Sequence, residues 1–290
     1  MNIKAQTVKE LRQRTDAGIM ECKQALIETN GDLEKAIIQM RKLGQAKADK
    51  TSSRPTAEGV VAIARSNNKL TMIEVNSETD FAARSNFFRS FVKLVVHKLL
   101  SSNVTKISEV LQLKLADNES LDVARKNLIA KLGENVTLRR IASIQNNQLG
   151  GYVHSGRIGV IVSIKSKNYK LDLAKDVAMH IAASNPLVIS QQQVPNYLIE
   201  REKEVLIAQA LQTGKDPRVI DKIISGKIRK FLDRHSLLGQ AFIKNPKQTI
   251  NELLKQHDAT VIKFFRFSVG EGIETNETDF ANDVIDRLKK

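Results

Sequence analysis

The sequence predicts a multidomain α+β protein, with small antiparallel sheets and helices packed on them. The chain has 290 residues and is 41% hydrophobic, enough to bury cores in two or three domains of ~100 to 150 residues. Residues 1–44 show only helical periodicity. In the rest of the chain, a predicted β-hairpin followed by a predicted helix occurs twice, in residues 59–99 and 151–186. This repeat predicts two related α+β subdomains.

Three short helices are predicted in the first domain, residues 1–44. A Thr-x-x-Glu pattern that begins at Thr7 has the spacing of a capping box, so the first helix is expected to start there. A second helix is predicted over residues 20–28, and Asp32 is the expected N-cap of the third. The third helix keeps an apolar stripe and is predicted to end at Gly44.

A linker is predicted next, because residues 45–56 (QAKADKTSSRPT) have no apolar period and are rich in Lys and Ser. The N-subdomain of the core then covers residues 57–145. In it, residues 59–64 and 69–75 read as a hairpin, followed by helices that cover the sheet, and residues 136–144 read as a strand.

The second half repeats the hairpin and its helix and then changes character. Between residues 194 and 238 two charged helices with a narrow apolar seam predict an antiparallel hairpin that protrudes. The predicted boundaries are 146–193 for the first part of the C-subdomain, 194–238 for the helical hairpin, 239–271 for the completion of the C-subdomain and 272–290 for a C-terminal module.

The formal net charge of +14 points to an acidic partner: nucleic acid, ribosome, anionic membrane or acidic protein. The alternative is a general compositional bias, because the basic residues are spread along the chain. Aromatic residues make up 4% of the chain and Trp is absent, which argues against stacking platforms for single-stranded nucleic acid.

Cysteine usage and hydropathy predict a soluble cytoplasmic protein. The single cysteine, Cys22, permits no intramolecular disulfide and fits a reducing compartment. No stretch approaches the ~18 apolar residues of a membrane span. The N-terminus carries Lys, Arg and Glu where a signal peptide needs an apolar run.

No motif for catalysis or metal binding occurs in the sequence. It contains no phosphate-binding Gly-x-x-x-x-Gly-Lys-Ser/Thr loop and no Gly-x-Ser-x-Gly elbow. Its five histidines lack ligand spacing, and one cysteine cannot build a zinc site. We therefore expect no cofactor, no metal and no enzymatic activity, although catalytic groups can converge without a motif.

The stretch EVNSETDFAARSNFF, which follows the second strand, has two interpretations. Ser77 or Thr79 is expected to cap a helix, with Asp80 complementing its positive end. Phe81 precedes Phe88 by seven residues, so spacing favours one core stripe. Alternatively, a phenylalanine beside a bare carboxylate at the rim of a sheet is a wedge for a partner.

Several ordered motifs resemble the bacterial translation elongation factor Ts family, along essentially the whole chain. They are VKELRQRTDAGIMECKQALIETNGDLEKAIIQMRKLG, EVNSETDFAARSNFF, GENVTLRR, RIGVIVSI, AMHIAASNP, SLLGQAFI and FSVGEGIE. The resemblance implies a three-helix module like a ubiquitin-associated (UBA) domain, a core of two α+β subdomains, a protruding coiled coil and a C-terminal module. It implies a guanine nucleotide exchange factor that binds elongation factor Tu, both GDP-bound and nucleotide-free. No direct nucleotide binding, membrane association or specific nucleic acid is then expected.

The resemblance also implies roles for individual residues. Thr79, Asp80, Phe81 and Ala82 match a Thr-Asp-Phe-Val segment that disturbs the magnesium site of the partner, with Phe81 as a wedge. A second copy, at residues 278–280, is expected to pack and cap rather than to act on the partner.

Other matching positions lie outside that segment. Arg12, Ile19 and Met20 match residues that face the GTPase domain, and His154 matches a histidine nearer its phosphate-binding loop. From the residues alone, Arg12 would be a solvated charge and the two apolar side chains would belong to a small core.

A different function remains open beside exchange. The charge of +14 and the basic segment at residues 227–235 (KIRKFLDRH) suggest an RNA-binding or ribosome-associated protein. A salt-sensitive RNA affinity without sequence preference would support that alternative. An enzyme is the third possibility, but no constellation of groups supports it.

Overall fold

The computed structural model describes residues 3–15, 17–116, 118–211 and 217–273, and it contains helices and small sheets. The predicted α+β class is confirmed. Two compact units are present: the described residues of Met1–Ala62, Ile73–Ile141 and Ser268–Lys290 form one, and Ile63–Met72 with Ala142–Phe267 form the other.

The chain begins with three helices, α1 (Ala5–Thr15), α2 (Ile19–Glu28) and α3 (Leu33–Thr51). They enclose a small core of Leu11, Cys22, Ala25, Leu26 and Ala36. The carboxylate of Asp32 accepts a hydrogen bond from the backbone N–H of Lys35 at 3.0 Å, so the predicted N-cap of α3 is confirmed.

Two predicted helix boundaries in this region are wrong. α1 begins at Ala5, so Thr7 lies inside the helix. α3 does not end at Gly44 but continues to Thr51, so most of residues 45–56 are helical. Gly44 instead allows α3 to pack closely on α7. A Cβ at this position would lie 2.9 Å from the Cβ of Ala130, which is too short for two carbon atoms that are not bonded.

The first sheet has the strand order β1-β2-β3, where β1 is Glu58–Arg65, β2 is Lys69–Ser77 and β3 is Val136–Gln145. The predicted first hairpin and the third strand are thus confirmed. Between β2 and β3 lie α4 (Asp80–Arg84), α5 (Asn86–Leu100), α6 (Ile107–Leu111) and α7 (Leu121–Leu132). The apolar face of α5 is buried, as its periodicity predicts.

A buried carboxylate joins the last described turn of the chain to this sheet. Glu74, on β2, is 0% exposed and is paired with Arg139 at 2.9 Å and with Arg140 at 2.5 Å, both on β3. The same carboxylate accepts the backbone N–H of Gly270 at 2.9 Å. Arg140 also pairs with Glu271 at 3.1 Å, so the turn is held by charge and by backbone contacts.

The second unit contains a second three-stranded sheet with the order β4-β5-β8. β4 and β5 form the predicted antiparallel hairpin, and α8 covers the sheet. The remaining elements of this unit include two short 3-10 turns at Gln191–Gln193 and Leu237–Gly239. The bounds are Leu149–His154 for β4, Ile158–Ser166 for β5, Leu171–Ser184 for α8, Asn196–Leu211 for α9, Pro217–His235 for α10, Ala241–Phe242 for β6, Asn245–Thr249 for β7, Ile250–Gln256 for α11 and Ala259–Ser268 for β8.

Helix α8 lies very close to β4. A Cβ at Gly150 would lie 2.3 Å from the carbonyl oxygen of Ala174, which is a backbone atom that cannot rotate away. The glycine therefore allows the helix to pack on the sheet and bury the core beneath it.

Helices α9 and α10 contact each other, in agreement with a helical hairpin at residues 194–238. Its protrusion and coiled-coil geometry stay predictions. The predicted C-terminal module lies almost wholly outside the described residues, since residues 274–290, including the copy at 278–280, are not among them.

Candidate functional site

The candidate site begins where β2 ends and α4 starts. Thr79 has extended backbone angles (φ −122°, ψ 159°), and its hydroxyl accepts the backbone N–H of Ala82 at 3.3 Å. Of the two residues predicted to cap this helix, Thr79 is therefore the N-cap. α4 has only five residues, so the cap holds a large share of it in place.

Phe81 projects from this short helix into solvent. Its side chain is 81% exposed, whereas Ala82 is 7% exposed and faces inward. The prediction that Phe81 shares a core stripe with Phe88 is wrong. Ser85 has extended backbone angles and caps α5, so it separates the two phenylalanines into different helices. Only Phe88 is buried, at 0% exposed.

Two glutamates brace the site, and reading the sequence did not identify their role. The carboxylate of Glu134 accepts the backbone N–H of Thr79 at 3.0 Å and its hydroxyl at 2.7 Å. In return, Glu78 accepts the backbone N–H of Asn135 at 2.7 Å. The sequence signal for this contact was the motif GENV, residues 133–136. Gly133 ends α7 in the left-handed region (φ 74°), and Glu134 and Asn135, which follow it, lie beside the site.

Asp80 is not the bare carboxylate that the sequence suggested. It forms an ion pair with Arg84 at 2.9 Å, one turn later in α4, and its side chain stays 40% exposed. Its position in the first turn also complements the positive end of the helix. Within the segment, then, Phe81 and Asp80 reach the solvent, Ala82 lies inside, and Thr79 is engaged by neighbouring groups.

Helices α1 and α2 expose the residues predicted there. Ile19 is 54% exposed and Met20 is 72% exposed, so the alternative that they belong to the small core is wrong. Arg12 is exposed as well. Ile19 and Arg12 line a shallow hollow of about 340 Å³, and Met20 lines a larger groove of about 640 Å³ that extends to Lys131 on α7.

His154 is exposed at the end of β4, in the second unit. It precedes a three-residue turn, residues 155–157, in which Ser155 and Gly156 both have positive φ, 51° and 72°. The backbone N–H of Arg157 donates to the carbonyl of His154 at 2.9 Å and closes the turn. The hydroxyl of Tyr152 lies 3.1 Å from Nδ1 of His154. The hairpin thus presents the ring at its tip.

The buried histidine of the second unit has a structural explanation. His180 is 0% exposed, and its Nδ1 accepts the backbone N–H of Ile243 at 3.3 Å. Nε2 therefore carries the proton and donates to the side-chain oxygen of Gln240 at 2.9 Å. Burial lowers the pKa of His180 below 6.5, against a smaller opposing effect from Gln240.

No group of three or more His, Cys, Asp or Glu side chains among the described residues is placed to hold a metal ion. Cys22 is buried beside the hydroxyl of Thr15 at 3.7 Å. Within the same part of the chain, no helix is long and apolar enough to cross a membrane.

The fold and the site define a class: an α+β protein that presents a braced apolar side chain at its surface. Comparison with known proteins narrows that class. The profile of the family Elongation factor TS matches residues 78–271. Elongation factor Ts of Francisella tularensis subsp. novicida is 48% identical over 288 residues, covering 99% of both chains. Elongation factor Ts of Legionella pneumophila is 48% identical over 290 residues, with the same coverage. The chain belongs to the elongation factor Ts family of translation factors.

Proposed function

We propose that this protein is a guanine nucleotide exchange factor for elongation factor Tu and acts in the cytoplasm. It binds the GDP-bound GTPase, promotes GDP release, and stabilises the nucleotide-free form until GTP binds. The protein acts by binding the GTPase and catalyses no chemical reaction, and it does not itself bind nucleotide. Membership of the family supports this proposal, together with one observation on the chain itself: the exposure of Phe81 on a braced helix.

Phe81 is the proposed wedge, and Asp80 lies beside the elements that it displaces. Magnesium links the β-phosphate of GDP to the GTPase, so moving its ligands removes much of the affinity for GDP. Thr79 and Ala82 support the wedge from within, the first as cap and the second as inward contact. Linkage requires reciprocity: what weakens GDP on the GTPase also weakens the exchange factor on the GDP-bound form.

The remaining predicted contacts extend the proposed interface. Arg12, Ile19 and Met20 would face the GTPase domain, and His154 would approach the side of its phosphate-binding loop. Their exposure supports this assignment. We also propose the architecture of the family for the rest: a UBA-like arrangement of α1 to α3, a projecting helical hairpin and a C-terminal module.

The size of the wedge contribution follows from its exposure. Fully burying a phenylalanine side chain contributes about 1.5 to 3 kcal/mol. Since 81% of Phe81 is available for burial, contact with a partner gives about 1.2 to 2.4 kcal/mol of that. At about 1.4 kcal/mol per factor of ten, its removal should slow GDP release about 7- to 50-fold.

Stopped-flow release of a fluorescent GDP analogue from bacterial elongation factor Tu, with magnesium present, tests the proposal. The intact chain should accelerate release, and Phe81→Ala should lose most of that acceleration. Asp80→Ala should lose part of it. The matched control is Tyr197→Ala, because Tyr197 is also an exposed aromatic residue, at 70%, but lies on α9, outside the segment.

Failure of the intact chain to accelerate release would exclude the exchange function. Salt-sensitive binding to unrelated RNA sequences in the same preparation would then favour the RNA-binding alternative.

A further inference from the structure

Both oxygens of the Glu134 carboxylate are used to hold one residue, Thr79. One oxygen accepts the backbone N–H of Thr79 and the other accepts its hydroxyl. That hydroxyl also accepts the N–H of Ala82, so its proton and a lone pair both have fixed directions. A two-point contact of this kind determines the orientation of the first turn of α4 as well as its location.

The residues that carry Glu134 are themselves anchored. Asn135 is 1% exposed, and its side-chain N–H group donates to the carbonyls of Ser52 at 3.2 Å and Arg54 at 2.9 Å. Its backbone N–H is held by Glu78, which precedes Thr79 in the chain. Residues 78–79 and 134–135 therefore hold each other, each pair through a carboxylate on the backbone of the other.

Phe81 lacks comparable support of its own. It is 81% exposed, and α4 is a single short turn of helix that would not be stable in isolation. The direction of the ring is consequently set by the backbone of α4, which Thr79 caps and the buried Ala82 and Ala83 hold from within. We propose that Glu134 is a positioning residue for Phe81: it fixes the direction in which the ring is presented to the partner. This inference rests on the proposed exchange function and names a residue on which that function depends.

A positioning role predicts a particular division of effects. Without Glu134, initial binding through the exposed surface of α1 and α2 remains, so the apparent dissociation constant should change by less than about threefold. The maximal rate of GDP release should fall on the order of tenfold, because displacing the Phe81 ring by less than about 1 Å is enough for a loss of that size. Glu134→Gln keeps an oxygen for the N–H of Thr79 and a donor for its hydroxyl, so it should retain most of the rate.

The experiment measures GDP release from elongation factor Tu over a range of concentrations of the full-length chain. It compares the intact chain with Glu134→Ala, Glu134→Gln and the control Glu204→Ala, whose carboxylate is exposed on α9. Hydrogen–deuterium exchange of residues 78–85 should rise in Glu134→Ala and stay unchanged in the other two. If Glu134→Ala does not fold, Glu134→Asp, which keeps the charge but shortens the side chain that reaches Thr79, replaces it, with a smaller loss of rate expected in the same direction.

Each outcome decides between the two proposals. An intact chain without activity overturns the exchange function itself. An active chain that depends on Phe81 but is indifferent to Glu134→Ala overturns the positioning role alone. So does a Glu134→Ala variant that changes only the dissociation constant, or a Glu134→Gln variant as slow as the alanine variant.

Discussion

Removing the buried charge of Glu74 should destabilise the protein far more than removing a surface charge from the same network. The substitution Glu74→Gln leaves Arg139 and Arg140 without their buried counter-ion, but keeps an oxygen for the N–H of Gly270. Breaking a buried ion pair from one side costs about 3 to 5 kcal/mol. The arginines are 24% and 30% exposed, so water offsets part of this, and we expect about 2 to 4 kcal/mol.

Urea unfolding followed by circular dichroism measures this loss, and the midpoint should fall by on the order of 1 M at unchanged slope. The matched control is Glu271→Gln, whose side chain is 43% exposed and pairs with Arg140 at 3.1 Å. It should cost less than about 1 kcal/mol. Equal, small effects of both substitutions would refute the reasoning, because the buried network would then be worth no more than a surface pair.

Three further predictions concern stability. Phe81→Ala should lower the free energy of unfolding by less than about 0.5 kcal/mol, because the site is exposed. Phe88→Ala should lower it by about 3 to 5 kcal/mol, because the ring is buried. Similar losses for the two variants in calorimetry would contradict the observed placement of the two rings. Burial lowers the pKa of His180 below 6.5, so as the pH falls the unfolded chain binds a proton on this side chain at a higher pH than the folded chain does. The contribution of His180 is therefore complete above pH 6.5 and decreases as the pH falls, so the melting temperature should drop between pH 7.5 and 5.5, and an equal drop in His180→Asn would argue against this origin. Gly150→Ala should cost about 1 to 3 kcal/mol, because its Cβ would lie 2.3 Å from the carbonyl oxygen of Ala174; an unchanged unfolding midpoint in urea would show that α8 can move away.

Local patterns in the sequence located most elements, and the errors arose where distant packing decided the outcome. The span of α7 and the left-handed Gly133 after it follow from apolar periodicity and a helix-stop signal. Gly44 carries the same stop signal but lies inside α3, because its missing side chain serves the approach of Ala130. A glycine that ends a helix and one that permits close packing look identical until the neighbouring helix is known.

The candidate site shows the same limit. Spacing predicted that Phe81 lies over Phe88, which would hold for one continuous helix. Ser85 ends that continuity, since it acts as the N-cap of α5, and the phase between the two rings is lost. The support from Glu134 was also beyond local reasoning, because 55 residues separate it from Thr79.

The continuous helix α3 has a consequence for the entropy of association. Its 19 residues span about 28 Å at 1.5 Å per residue. It is fastened to α7 by the Gly44 contact and by an ion pair between Asp49 and Lys126 at 3.2 Å. A flexible connection of a dozen residues would instead let its ends wander over about 17 to 21 Å. Met20 and Phe81 are therefore held at a nearly fixed separation. A macromolecule that contacts both would lose less conformational entropy on forming its second contact than it would with a flexible connection.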